Sequence, residues 1–242
     1  ILNNASIHCG SKWLIKIDIR RFFESISEKQ IYYCFNQMGY PPKLSFELAR
    51  ITTIVTPQSI QYGQKRWKNE DVFIGYLPQG FPTSPLLANK VCYHLDELLS
   101  QIAKDHRCSY TRYSDDIVFS TNFCNRNVAK IIIKRTNNVL ASFGFRPNHR
   151  KTSIVPPGAR KIVTGLVVNT DEPKLKRELK DQIRSHLYYA KKYGITNHCK
   201  KVGFNSLVGF KNHLEGLINY AKSIDKNLGN KYLNEFNKIN WF

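Results

Sequence analysis

The chain is short of acid. Eighteen Asp and Glu stand against 37 Lys and Arg, a formal net charge of +19 over 242 residues. Such a field concentrates anions, polyanions above all, with an attraction that falls as salt rises. There is also no uninterrupted apolar run of the roughly 18 residues that a membrane-spanning helix needs, and no amphipathic anchor. A surface that is basic for membrane attachment would normally show one or the other, so a soluble chain is expected. Six cysteines (Cys9, Cys34, Cys92, Cys108, Cys124 and Cys199) include no Cys-x-x-Cys pair and no His-rich spacing. That speaks against a zinc site or a disulfide framework and for reduced thiols. Internal repeats and low-complexity tracts are lacking too, and the sequence begins at Ile1 without an initiator methionine, a start that would hide any signal peptide.

In a chain with so few carboxylates, the placement of three aspartates is informative. The run Lys12 to Ile19 alternates with a period of two, which marks a strand with Asp18 near its carboxyl end. Thr111 to Phe119 is strand-like but interrupted by Ser114-Asp115-Asp116, the pattern of a hairpin. Successive side chains on a straight strand face opposite sides, so Asp115 and Asp116 can aim at one point only if the backbone bends at Ser114-Asp115. With Asp18 on a neighbouring strand, three carboxylates could hold a pair of Mg²⁺ ions about 4 Å apart, the arrangement that stabilises attacking and leaving oxygens in phosphoryl transfer. Oxygen donors suit Mg²⁺ better than Zn²⁺. The same Ser-Asp-Asp is also ordinary turn chemistry, and spacing alone leaves both readings open.

The remaining order is α+β. With 42% hydrophobic residues the chain can bury a substantial core. Strands are expected near 12–19, 110–113, 116–120 and 161–168, alternating with helices near 28–38, 43–55, 84–104 and 126–143. A seam at Asn169-Thr170-Asp171-Glu172-Pro173 divides the chain into 1–171 and 172–242. Beyond it Leu175, Leu179, Ile183, Leu187 and Ala190 mark one helix, Leu207 to Ala221 a second, and Leu233, Phe236 and Ile239 a third. The first carries Lys174, Lys176, Arg177, Lys180, Arg184, Lys191 and Lys192, a face that can track a phosphate backbone or simply be solvated. Tyr188, Tyr189 and Tyr193 add rings that can stack on bases or pack on neighbours.

Gln79-Gly80-Phe81-Pro82-Thr83-Ser84-Pro85 precedes the apolar-periodic stretch Leu86 to Leu99 and reads as a loop opening a helix. Ser84 is expected to cap it and Pro85 to take the first helical position, with free N–H groups suited to a phosphate or nucleotide edge. Phe143-Gly144-Phe145-Arg146-Pro147-Asn148 comes later, with Lys151 three residues on. Taken in order, Asp-x-x-x-Phe-Phe, Gln-Gly-x-Pro-x-Ser-Pro, Tyr-x-Asp-Asp and Gly-Phe-x-x-Asn-x-x-Lys resemble the palm motifs of reverse transcriptases. Asn4-Ala5-Ser6-Ile7-His8 and Val163-Thr164-Gly165 narrow the resemblance to the bacterial retron enzymes, although group II intron-like and other defence-associated reverse transcriptases share the palm motifs.

The resemblance implies a right-hand polymerase: a palm on a ferredoxin-like split β-α-β sheet with a remnant of fingers over 1–171, a helical thumb over 172–242, and a fingers region largely absent from this chain. It implies an RNA-directed DNA polymerase in which Asp18, Asp115 and Asp116 bind two Mg²⁺ ions, with Mn²⁺ as a possible substitute. Lys151 joins them as proton donor to departing pyrophosphate, a role that calls for a lowered pKa. Phe23, as a gate against the ribose 2′-hydroxyl, Gln79, Gly80 and Tyr113 would border the nucleotide. Asn4, Val163, Thr164 and Gly165, with Lys176, Lys180 and Arg184, would contact RNA or primer, and His8 would be either structural or an RNA contact. Implied partners are a non-coding RNA serving as template and primer, its DNA product, deoxynucleoside triphosphates and an effector protein in antiphage defence, in a bacterial cytoplasm with no membrane partner. A catalytically idle RNA-binding scaffold is the reading from another class.

Overall fold

The computed structural model describes residues 1–55, 75–123 and 125–241. The chain forms two compact units: Lys12–Ala159, and a second assembled from Ile1–Ser11 and Arg160–Phe242. In chain order the helices are α1 (Leu2–Ser6), α2 (Glu28–Gln37), α3 (Pro42–Thr52), α4 (Ser84–Val91), α5 (Tyr93–Asp105), α6 (Arg126–Ser142), α7 (Arg177–Tyr193), α8 (Ile195–Lys201), α9 (Leu207–Ile224) and α10 (Lys226–Asn237). The strands are β1 (Trp13–Arg20), β2 (Ser109–Tyr113), β3 (Asp116–Thr121), β4 (Arg146–Pro147), β5 (Ser153–Val155), β6 (Ile162–Val163) and β7 (Leu166–Val167).

The first unit is organised around β1, whose Leu14, Ile15, Ile17 and Ile19 are buried on both faces of the sheet. Apolar residues on both sides make it a central strand. It pairs antiparallel with β3, which pairs antiparallel with β2 in a hairpin. The other edge of β1 is shared, β5 lying against Leu14–Lys16 and β4 against Ile19–Arg20. In the order β2-β3-β1-β4, β3 separates two strands that run parallel, which is a split β-α-β connection. Helices α2, α4, α5 and α6 bury Ile31, Leu87, Leu95, Leu99, Ile132 and Leu140 in one core with Ile15, Ile17 and Phe119.

Local devices place the chain ahead of Gln79. Ser27 and Gln30 form a reciprocal capping box at the start of α2. The fully buried Glu28 accepts hydrogen bonds from Gly75 N (2.8 Å) and Arg50 Nη1 (3.3 Å). A Cβ at residue 75 would stand 2.8 Å from both Glu28 Oε2 and Thr53 Oγ1, so this close approach needs glycine. Leu77 N then donates to Ile26 O (3.0 Å).

Three expectations change. The helix expected over 84–104 is divided at Cys92 into α4 and α5. Ser84 does not cap it: Thr83 occupies that position with no side-chain bond, and the buried Ser84 hydroxyl donates to Pro78 O (2.7 Å), closing the loop on itself. The strand near 161–168 is the hairpin β6–β7, turning at Thr164 (φ +45°) and Gly165 (φ +88°), the positive-φ pair that a tight hairpin turn requires.

The second unit is mainly helical. Its core includes Ile183, Leu187, Phe210, Leu214, Ile218, Tyr232 and Phe236. Ser206 and Asp225 cap α9 and α10 through Gly209 N and Leu228 N, each at 2.9 Å. Among the described residues no helix is long and apolar enough to cross a membrane. Five cysteines are free thiols, and Cys124 lies outside the described residues. Helices α9 and α10 meet so closely that a Cβ on Gly229 would overlap the Lys222 backbone. Gly229→Ala is therefore expected to destabilise the protein by about 1–3 kcal/mol through overpacking, read as a lower urea midpoint.

Candidate active site

The register of β1 against β3 sets Asp18 directly opposite Asp116. Asp115 sits in the β2–β3 turn, where Ser114 takes a left-handed backbone (φ +57°) and supplies the bend that the sequence calls for. Ile19 N donates to Asp115 O (3.0 Å), and Asn148 N donates to Asp18 O (2.7 Å). The strand carrying Asp18 is thus held by the turn and by the segment after β4. The three carboxylates come together on a cavity of about 380 Å³ lined by Lys16, Ile17, Asp18, Asp115, Asp116 and Lys151.

Asp18 is buried, and both its oxygens are engaged: Oδ1 accepts from Asn148 Nδ2 and Oδ2 from Lys151 Nζ, each at 2.9 Å. Burial pushes the Asp115 carboxyl pKa up, and the charges of Asp18 and Asp116 push it further. The hydrogen bond and charge of Asp18 raise the Lys151 pKa, so this pair does not provide the lowering expected for a proton donor. Lys151 is the cluster's counter-charge, and its side chain is 64% exposed, free to withdraw toward solvent.

Three carboxylates, with Lys16 and Lys151 also lining the cavity, suit a hard divalent cation by donor chemistry. Their present spacing is that of a cluster closed on an ammonium: among the described residues no three His, Cys, Asp or Glu side chains are already gathered to hold one ion. The donor set fits a metal provided Lys151 yields its place on Asp18.

Other expected residues lie beyond the cavity lining. Tyr113 is half exposed and opposite Asp116 on β2. Phe23 packs edge-on against the buried Phe22 at 5.2 Å, so the core member of that pair is Phe22. Gln79 and Gly80 are exposed, Gly80 at φ +95°. In the second unit, Asn4 is half-buried on α1, Val163 is a core residue, and Thr164 and Gly165 form the hairpin tip. His8, expected as a structural or an RNA-contacting residue, is fully buried, so its side chain offers no contact surface. Lys176 and Lys180 are half-buried near the start of α7. Arg184 is exposed and donates from Nε to Tyr232 Oη (3.3 Å). Tyr188, Tyr189 and Tyr193 are exposed rather than packed away. Asn148 had a place in a motif but no assigned role. Its contact with Asp18 spans 130 residues, a distance at which sequence spacing carries no signal.

A family profile described as reverse transcriptase (RNA-dependent DNA polymerase) matches residues 2–204. The chain belongs to the reverse transcriptase family. It is 30% identical over 240 residues to the retron Ec86 reverse transcriptase of Escherichia coli, covering 97% of this chain and 68% of that protein. It is 35% identical over 254 residues to the retron Ec73 reverse transcriptase of the same organism, covering 100% and 72%. The retron Mx162 reverse transcriptase of Myxococcus xanthus is 33% identical over 207 residues, covering 79% and 42%. These similarities set the chain among the bacterial retron reverse transcriptases, and the enzyme class is RNA-directed DNA polymerase. Reverse transcriptases generally use divalent metal ions.

Two outcomes follow from the electrostatics. In Lys151→Met the ammonium no longer competes for Asp18, so Mn²⁺ binding followed by electron paramagnetic resonance should tighten about five-fold, the scale of a partly exposed ion pair. Burial lowers the His8 pKa from 6.5 to about 4. The unfolded chain therefore takes up this proton first as pH falls. His8 contributes its full stability above about pH 6.5 and loses it progressively down to about pH 4, by roughly 3 kcal/mol. Urea unfolding across that window, compared with His8→Gln, reads the difference in slope.

Proposed function

We propose that this protein copies an RNA template into DNA by nucleotidyl transfer at the Asp18, Asp115, Asp116 cavity. The observation that carries the reading is the β1–β3 register, which brings carboxylates nearly a hundred residues apart onto one cavity with Lys151. Those three aspartates would hold two Mg²⁺ ions, with Mn²⁺ able to substitute. Bound there, the ions supply the Lewis acidity that activates a primer hydroxyl and offsets charge on the pyrophosphate.

The chain's own residues provide position and protons. Lys151 holds a proton on Nζ, and its raised pKa keeps it there until the side chain parts from Asp18. Once apart, it can donate to the departing pyrophosphate. Phe23 faces the sugar and selects against a 2′-hydroxyl, Gln79 and Gly80 border the nucleotide, and Tyr113 lies by the primer end. In this reading residues 1–171 form the palm with a remnant of fingers and 172–242 the thumb. Asn4, Thr164 and Gly165 hold the primer region, with Val163 supporting the turn from the core, while Lys176, Lys180 and Arg184 follow the RNA backbone beside the exposed tyrosines. His8 serves by packing.

The resemblance to retron enzymes supports a structured non-coding RNA as template and primer, with synthesis starting from a 2′-hydroxyl. It also supports cytoplasmic action with an effector protein in antiphage defence. Mg²⁺-dependent primer extension by the full-length protein tests the chemistry. Asp18→Asn, Asp115→Asn and Asp116→Asn should each lower kcat by on the order of 10³ or more, and extension that survives all three sinks the assignment. Sequencing the co-purifying nucleic acid distinguishes the subtype: a branched RNA–DNA species is expected, and an unbranched product would favour a group II intron-like enzyme.

A further inference from the structure

Behind the Tyr113-Ser114-Asp115-Asp116 turn lies a half-buried ion pair that the proposed chemistry leaves unused. Arg112 on β2 is bidentate to Asp96 on α5, Nε donating to Oδ1 at 2.8 Å and Nη2 to Oδ2 at 2.6 Å. Its side chain is only 4% exposed. Tyr110 Oη donates to the same Asp96 Oδ1 (2.7 Å), fixing the carboxylate from a second side. Burial works against the Arg112 charge, but the Asp96 hydrogen bonds and charge outweigh it and hold the guanidinium protonated.

What the anchored head group does with its free edge is the informative part. Nη1 donates to the Ser114 backbone carbonyl (3.1 Å) and to Asn89 Oδ1 on α4 (3.2 Å). Ser114 is the left-handed residue of the turn, and its carbonyl is joined directly to Asp115. The guanidinium also lies 5.8 Å from the centroid of Phe22, whose ring abuts Phe23. A single planar group therefore touches the turn that aims Asp115 and the ring that supports Phe23.

The geometry assigns Arg112, locked by Asp96, as a positioning residue that sets the carboxylate turn and the Phe22–Phe23 pair relative to each other. This rests on the polymerase reading for its consequences, but not for its structural content. Lysine cannot replace it, because an ammonium lacks the planar fork that reaches Asp96, Asn89 and Ser114 at once. Misplacement of a reacting group by about 1 Å lowers rate on the order of a hundredfold.

The test compares full-length wild type with Arg112→Lys and Asp96→Asn by steady-state primer extension and by amide hydrogen exchange. Each variant should lose about tenfold to a hundredfold in kcat with the KM for primer–template nearly unchanged. Discrimination between deoxy- and ribonucleotides should narrow several-fold. Exchange at residues 113–116 should accelerate while β1 exchanges as in wild type. Wild-type kcat, discrimination and turn exchange in both variants would overturn the assignment, as would acceleration spread evenly over the whole chain. If extension survives Asp115→Asn, the polymerase reading fails, and exchange at the turn still decides the role of Arg112. Should R112K not fold, D96N keeps the shape of the anchor and decides the matter with the same readouts.

Discussion

The site depends on one strand pairing. Ile15 opposite Phe119 and Ile17 opposite Ile117 lock β1 against β3, and a slip of register would part these buried cross-strand pairs. The apolar pairs thereby force Asp18 and Asp116, which follow in the same ladder, to face each other as like charges. Such a pairing is unfavourable by itself. It persists because the core decides the register and because Lys151 and Asn148 offset the Asp18 charge. Three carboxylates outnumber the two lysines, Lys16 and Lys151, that line the cavity with them, an imbalance that favours a bound cation.

Around that ladder, each neighbouring segment is pinned by backbone contacts rather than by bulk packing alone. The turn is tied to β1 through Asp115 O and Ile19 N, and the chain after β4 through Asn148 N and Asp18 O. The loop bearing Gln79 is fastened at its start by Glu28 and Gly75 and closed by Ser84 on Pro78. Rigid attachment suits a site whose groups must keep their mutual geometry while substrate and product come and go. The helical unit follows a different logic, with capped helices and a crossing at Gly229 close enough to exclude any side chain.

Much of this was legible in the residues. Alternation at Lys12 to Ile19 marked a strand, and polar interruption at Ser114-Asp115-Asp116 marked the hairpin. The spacing of Leu175, Ile183 and Leu187 marked the first helix of the second unit. Strands β4 and β5 were not, since two or three residues carry no period. Ser84 had the right identity for a cap but is buried within the first turn, where its hydroxyl found the Pro78 carbonyl instead. Lys151 lies beside the carboxylates, yet its pKa moves up, because proximity to Asp18 outweighs desolvation at an exposed ammonium. His8, read as either a structural or an RNA-contacting residue, is interior.

Sequence by itself determined the elements and the residue types: which runs become strands, where the backbone must bend, and which side chains have the chemistry to bind a cation. These follow from short-range periodicity and turn preference. Only the tertiary structure decided which groups meet, that Lys151 and Asn148 share the two oxygens of Asp18, that Arg112 reaches both Asp96 and the Ser114 carbonyl, and that His8 is enclosed. Those are contacts between segments distant along the chain, and they are selected by the register of a buried sheet and the packing of helices upon it.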